Sequence, residues 1–267
     1  IGNGVLLDQD FDKPQAFHKE AVARIGGLAS AISLIIFFLL YYFLFNQILF
    51  DYLFLSFTLF LLGFIDDFKT RINPNYRLIT MVLILIFFIM FFSINIRAVD
   101  LPFLRTWMEN QLFTNLFLLL CFLFIINGAN LVDGFNGLLA IHLLIINFIL
   151  FFINLDNGHQ HLLLFITAQI VVLTCFLLFN FPKAKIFLGD SGSYLFGSLV
   201  ALNVINTHNL NAETSSFFFC ILLFYLFFEV FFSFFRKIYF KQSPLKPDRK
   251  HLHMLLYNFL SRSQKFK

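Results

Sequence analysis

A bundle of membrane-spanning helices is the fold this sequence predicts, and three observations carry the prediction. Hydrophobic residues make up 60% of the chain and charged residues 13%, with a mean hydropathy of +0.83, far from the balance of a domain that folds in water. Long apolar runs recur along the chain, most of them near the ~20 residues that cross a bilayer as helix, and none alternates with period two. The basic residues are also segregated. With residues 1–24 placed inside and the runs counted as eight crossings, only Arg97 and Arg105 of the 19 Lys and Arg fall outside.

The crossings are expected at 27–45, 48–65, 78–94, 112–126, 137–155, 162–181, 194–205 and 216–235, the seventh being short. A spanning segment must satisfy its own backbone N–H and C=O groups, which leaves helices or a closed barrel, and continuous apolar runs favour helices. The lead-in, residues 1–24, is polar and lacks the short apolar core and cleavage site of a secretory signal. No linker, low-complexity tract or repeat interrupts the chain, so residues 1–267 read as one integral membrane domain, with a cytoplasmic lead-in over 1–24 and a basic, His-bearing cytoplasmic tail over 236–267. The three Cys all lie inside apolar runs, as small hydrophobes without metal-ligand spacing, and the 44 Phe read as lipid-facing and interhelical filler. The net charge of +4 belongs to a membrane-facing surface, which excludes nucleic acid as the partner that charge implies.

The outer loops, 46–47, 95–111, 156–161 and 206–215, gather no constellation of acids or ligands. Every inner loop holds an Asp, a His or both beside basic and Gly residues. The second crossing ends in Asp66 and Asp67. Adjacent carboxylates at the end of an apolar helix repel each other unless a cation or donors neutralise them, and magnesium is the hard, oxygen-seeking ion for that place when phosphates are present. A helix end whose acids face water and pair with Lys69 and Arg71 reads equally simply. The fourth crossing runs into Asn127, Asn130 and Asp133 at three-residue spacing, which aligns them on one face if the helix continues. Such a polar stripe in lipid must face a cavity or a partner helix. After the sixth crossing, Gly189, Asp190, Ser191, Gly192 and Ser193 form a stretch whose amides suit phosphate oxygens at a helix start while the carboxylate suits a metal. A short turn with an Asp cap looks the same in isolation. The tail carries Asp248, Arg249, Lys250, His251 and His253, which suit the charge of a diphosphate; zinc is discounted because no Cys and only His18 share that side.

Taken together and in this order, these segments resemble the polyprenyl-phosphate N-acetylhexosamine-1-phosphate transferase family (glycosyltransferase family 4), and within it the undecaprenyl-phosphate GlcNAc-1-phosphate transferase-like branch. The resemblance rests on Asp66-Asp67, the stretch 127–138, the stretch 189–193 and the loop 248–253, and on a lead-in of Asp12, Lys13, Pro14, His18, Lys19 and then Arg24 to Gly27. It spans nearly the whole chain. It implies attack of a polyprenyl (undecaprenyl) phosphate oxygen on the sugar-linked phosphorus of a UDP-N-acetylhexosamine, giving polyprenyl-diphosphate sugar and UMP, the initiating step of O-antigen or other cell-envelope polysaccharide synthesis.

The resemblance further implies Mg2+, with Mn2+ as the alternative, held chiefly by Asp190 with Asp67 and Asp133 near it. It makes Asp66, Asp67, Asp133, His251 and His253 the catalytic set, with Asp66 orienting or deprotonating the lipid phosphate. His251, His253 and Arg249 are expected on phosphates, Lys19 and Asn130 at the nucleotide end, Phe187 stacked on uracil, and Arg77, Asn127 and Asn136 on substrate. The implied setting is the inner membrane of a bacterium, multi-pass and in contact with lipid, with the site on the cytoplasmic side and a homodimer as an admissible assembly. The sequence departs from the family at Asn136, often Asp; at Arg77, usually Lys; at Met254, often His; at Ala23, where Pro is expected; and at Ala16-Phe17, where a basic pair is expected. The family's first and last helices are expected to lie beyond residues 1 and 267. The competing readings are the peptidoglycan branch, which transfers phospho-MurNAc-pentapeptide, and a truncated, inactive member that binds only lipid or a partner. A transporter is a poorer reading, since only Glu229 and His142 lie deep inside crossings.

Overall fold

The computed structural model describes residues 6–8, 21–70, 72–97, 99–243 and 250–262. Among these, the regular elements are all helices apart from a minimal hairpin in which β1 (Leu7–Asp8) pairs antiparallel with β2 (Val22–Ala23). The helices are α1 (Gly26–Phe45), α2 (Phe50–Ile65), α3 (Pro74–Phe91), α4 (Pro102–Met108), α5 (Gln111–Val132), α6 (Leu138–Asp156), α7 (Gln160–Asn180), α8 (Gly189–Leu210), α9 (Ser216–Leu222), α10 (Phe224–Tyr239) and α11 (Leu252–Arg262), with a π-helical turn over Asp66–Thr70. Their starts follow local chemistry. Asn73 caps α3 through the Asn75 amide at 3.0 Å, with Pro74 in the first turn; Asn110 caps α5 through the Leu112 amide at 2.9 Å.

The all-helical class is as predicted, but the crossing count is not reproduced. By length and composition five helices, α1, α3, α5, α6 and α7, are apolar enough to span a bilayer, and six if α9 and α10, bent by 67° at their junction, form one broken span. Each of the eight predicted runs does lie on helix. The two that fall short do so for different reasons. α2 has 16 residues because its last turn widens into the π-helical turn. α8 has 22 residues, far more than the run predicted at 194–205, but carries Ser, Asn, Thr and His where the others carry Leu and Phe.

Those polar residues are hidden. α8 packs chiefly on α2 and α5 and also on α1 and α6, and its residues 191–205 are all buried. Hydrogen bonds to α6 satisfy part of its polar set: Asn154 donates to the Thr207 hydroxyl at 2.8 Å, and Asn203 donates to Asn147 at 3.3 Å. Lipid-facing helices expose Leu, Ile and Phe instead, as α1 does with Ile32, Ile36 and Phe43. Contacts keep the two ends of the bundle distinct. At one end Tyr41 meets His161 and Asn209 donates to the Asn95 carbonyl, while Asp100 accepts from the Ser216 amide at 2.7 Å. At the other end α2 finishes, α3 begins, α5 finishes and α8 begins.

Candidate active site

The helix ends at that second pole bring four carboxylates together from three parts of the chain. Asp67 is fully buried and accepts hydrogen bonds from the backbone amides of Asp190, at 3.1 Å, and Ser191, at 2.9 Å. It therefore closes the start of α8, where unsatisfied N–H groups and the helix dipole favour an anion. Arg24, just ahead of α1, reaches the same carboxylate at 3.5 Å. Close backbone approach makes this possible. A Cβ on Gly27 would stand 2.5 Å from the Gly192 nitrogen, and one on Gly63 would stand 2.4 Å from the Asp190 carbonyl oxygen. Gly189 has φ +74°, a conformation that side chains disfavour, and its Cα faces the Asp67 carboxylate directly.

Asp190 points the other way. Its Oδ1 accepts from the Asn130 amide at 2.7 Å and its Oδ2 from Arg77 Nη1 at 3.0 Å; the same Nη1 donates to Asp66. Arg77 lies over the ring of the buried Tyr194, 5.8 Å from its centroid. Asp66 and Asp190 are near enough to share a proton. Asp133 follows the last residue of α5, where ψ turns to 49° and the helix stops. Among the described residues no donor reaches its carboxylate, which lies in the fields of Asp190 and Asp67.

This arrangement shifts acidities through burial first. Loss of water pushes the Asp133 carboxyl up to about 7 and the Asp66 carboxyl up to about 6, and the negative charge of Asp190 adds to both. Asp67 rises for the same reasons, opposed by the Ser191 hydrogen bonds and by Arg24. Carboxyls raised in this way keep protons that the unfolded chain would have released, so stability declines as pH rises from the unfolded value through the folded one. Thermal unfolding in detergent without divalent ions should show a midpoint that falls between about pH 4 and about pH 7, and the Asp133→Asn variant should lose part of that slope. A midpoint that instead climbs through this window would contradict the raised carboxyls.

The tail supplies a second group. Glu229, on α10 and fully buried, accepts from the Leu252 amide at 2.9 Å and lies 3.1 Å from His251 Nδ1 and 3.5 Å from His253 Nδ1. His253 Nε2 lies against Gly134, the residue after Asp133; a Cβ there would be 2.6 Å away. The His253 ring also meets Phe135 edge-on at 5.2 Å.

Of the residues predicted from sequence, Asp66, Asp67, Asp190, Arg77 and Asn130 thus share one network, with Asp133, His251 and His253 alongside. Asn127 stands a turn deeper, where its amide donates to the Leu123 carbonyl at 2.8 Å and meets the Met81 sulfur at 3.7 Å; α5 ends before the predicted stripe can align all three polar residues. Asn136 is exposed and donates to the Pro182 carbonyl at 3.0 Å. Phe187 is half-buried on the loop before α8, its backbone tied to Ala23 and Gly26. Lys19 and Arg249 lie outside the described residues.

Three further residues contribute to this pole. Arg24 stands in the family-like lead-in, and as a cation leading into an acid-bearing pole it has the right charge. Asn180 is buried and pins two loops, accepting from the Gly137 amide at 2.5 Å and donating to the Ile186 carbonyl at 2.8 Å; a lone Asn at a helix end gives no signal. Glu229 gave a clear one, since an acid inside an apolar helix must find a partner.

Among the described residues, no three His, Cys, Asp or Glu side chains surround one point closely enough to enclose an ion. The acidic side chains gathered at this pole nonetheless offer only oxygen ligands, and the four acids outnumber the two guanidinium groups, as suits a hard cation that takes one or two carboxylates and completes its shell with phosphate oxygens and water.

Residues 49–208 match the family described as Glycosyl transferase family 4. The chain is 28% identical, over an alignment 281 positions long, to an undecaprenyl-phosphate alpha-N-acetylglucosaminyl 1-phosphate transferase of Thermotoga maritima, covering 96% of this chain and 82% of that protein. It is 30% identical over 209 residues to a phospho-N-acetylmuramoyl-pentapeptide-transferase of Streptococcus pneumoniae, covering 74% of this chain and 63% of the relative. Over 148 residues it is 31% identical to the enzyme of the same description from Clostridium perfringens, covering 52% of this chain and 47% of that relative, about half its length.

Proposed function

The chain belongs to glycosyl transferase family 4, and from that premise we propose that it transfers an N-acetylhexosamine 1-phosphate from a UDP-sugar to undecaprenyl phosphate, releasing UMP. The observation that carries this reading is the convergence of Asp66, Asp67, Asp133 and Asp190 at one pole, with Arg77 and Arg24 among them. Two phosphate compounds repel each other, so an enzyme that joins them must chiefly neutralise and position. Proteins similar to this chain carry names for both sugar-1-phosphate reactions of the family. The likeness to the Thermotoga protein, which alone of the three extends over nearly all of this chain, favours the N-acetylglucosaminyl branch.

In this reading a lipid phosphate oxygen attacks the sugar-linked phosphorus, a new P–O bond forms, and the bond to UMP breaks. Asp190, held by Asn130, would be the principal ligand of a magnesium ion, with Asp66 and Asp133 beside it; when bound, the ion offsets diphosphate charge. Asp67, with both oxygens turned to the α8 amides, holds that helix start in place. Asp66, sharing Arg77 with Asp190, orients the attacking phosphate and takes up a proton from it when it arrives protonated. His251 and His253 face the diphosphate across the Asp133–Gly134 corner, and Arg77 neutralises charge on the opposite side. The basic residues that flank this pole support the cytoplasmic face of a bacterial inner membrane as its side in this reading.

The test is to incubate membranes that contain the protein with Mg2+, undecaprenyl phosphate and separate UDP-sugars, following UMP release and lipid-linked product. UDP-GlcNAc or another UDP-N-acetylhexosamine should support both. Turnover of UDP-MurNAc-pentapeptide alone would move the chain to the peptidoglycan branch, and no turnover of any donor would overturn the enzymatic reading.

A further inference from the structure

Glu229 is a fully buried acid within the apolar first part of α10, and among the described residues it has no part in the carboxylate network around Asp190. Its partners lie in the tail beyond α10. A carboxylate has only acceptor oxygens. The His251 nitrogen that faces it at 3.1 Å, Nδ1, must therefore carry a proton. Glu229 lies 3.5 Å from His253 Nδ1 and favours a proton there too, and the Tyr225 hydroxyl at 3.2 Å, which can accept as well as donate, is compatible with it. The two imidazoles are nearly parallel, with an interplanar angle of 8° and centroids 5.8 Å apart. With both Nδ1 edges turned to one carboxylate, both Nε2 edges are turned away from α10, and the Nε2 of His253 ends against Gly134, next to Asp133. The Leu252 amide, bonded to the same carboxylate, fixes the backbone between the rings.

We propose that Glu229 is a positioning residue for the transfer reaction: it selects the Nδ1–H tautomer of His251 and His253 and aims their Nε2 atoms at the substrate diphosphate beside Asp133. This deepens the proposed function and rests on it. An imidazole held at Nδ1 by a carboxylate can accept or hold a second proton at Nε2, and its cationic form then has a counter-charge already in place. The two rings thus become donors to phosphate oxygens without a flexible search, because the tail is anchored to a membrane helix at three points.

The experiment uses the full chain in lipid nanodiscs with 15N-labelled histidine, comparing wild type with Glu229→Gln and Glu229→Ala. In wild type, the 15N shifts of two imidazoles, assigned by His251→Asn and His253→Asn, should report a protonated Nδ1. In Glu229→Ala both should move toward the Nε2–H tautomer, and in Glu229→Gln, where one amide oxygen remains, at least one should. For Glu229→Gln, kcat for UMP release should fall about 10- to 100-fold, the usual loss when a partner that orients a working side chain is removed. KM for the UDP-sugar should change by less than about threefold, since a contact that strengthens in the transition state moves kcat rather than KM. Unchanged tautomers in Glu229→Ala would overturn the proposal whatever the activity. Shifted tautomers with an undiminished kcat would overturn the positioning role. A wild-type protein inactive on every donor would instead defeat the proposed function, while its tautomers would still decide whether Glu229 sets the two rings.

Discussion

Asp190→Asn is expected to lower UMP release by about 100- to 1,000-fold, the scale on which removal of one preorganised charge-stabilising group acts, while leaving the chain folded and inserted. The substitution keeps size and shape, and the Asn130 amide can still meet an amide oxygen. It removes the negative charge at the point where Asn130, Arg77 and Asp66 meet. In the variant, Arg77 keeps Asp66 as its sole carboxylate partner among these residues, and the magnesium ion proposed above would lose its principal ligand. The measurement is UMP release at saturating donor and undecaprenyl phosphate, paired with a thermal midpoint. A rate within tenfold of wild type would remove Asp190 from the centre of the reaction.

The largest structural effect is expected from Gly63→Ala. A Cβ at this position would lie 2.4 Å from the Asp190 carbonyl oxygen and 2.5 Å from its carbon, both backbone atoms that cannot swing aside. α2 must then move off the start of α8, and forced overpacking of this kind costs about 3 kcal/mol. The same displacement lengthens the bonds from Asp67 to the Asp190 and Ser191 amides. A shift of about 1 Å at a reacting site is sufficient for a 100-fold loss of rate. Both a lower thermal midpoint and a collapse in UMP release should appear; a variant with wild-type values for both would show that the two helices do not depend on this contact.

What was legible in the sequence follows from which forces act locally. Apolar runs and the segregation of Lys and Arg are one-dimensional signals, and each predicted run does lie on helix. The count of crossings was less secure, because burial against neighbours allows α8 to be polar, and a widened final turn shortens α2. Acid placement was legible as a set: a carboxylate at the end of an apolar segment needs compensation, and Asp66, Asp67 and Asp190 find it together. Their division of labour was not. Adjacent residues on a helix point in different directions, so Asp66 turns to Arg77 while Asp67 turns to the α8 amides, and only the packed structure says which goes where. The three-residue stripe is cut for a local reason: α5 ends at Val132, so Asn127 and Asn130 lie on the helix and Asp133 beyond it. Glu229 was visible as an anomaly, but its partners lie more than twenty residues away.

The polarity of α8 bears on how the protein is made. A helix lined with Ser, Asn, Thr and His gains little by entering lipid alone, so its insertion depends on earlier helices already waiting in the bilayer to receive it. Asp190 and the amides that seat Asp67 travel with that same helix. The carboxylates therefore meet only when biogenesis of the bundle is nearly complete, and a nascent chain halted before this step exposes no assembled cluster of like charges to the hydrocarbon around it.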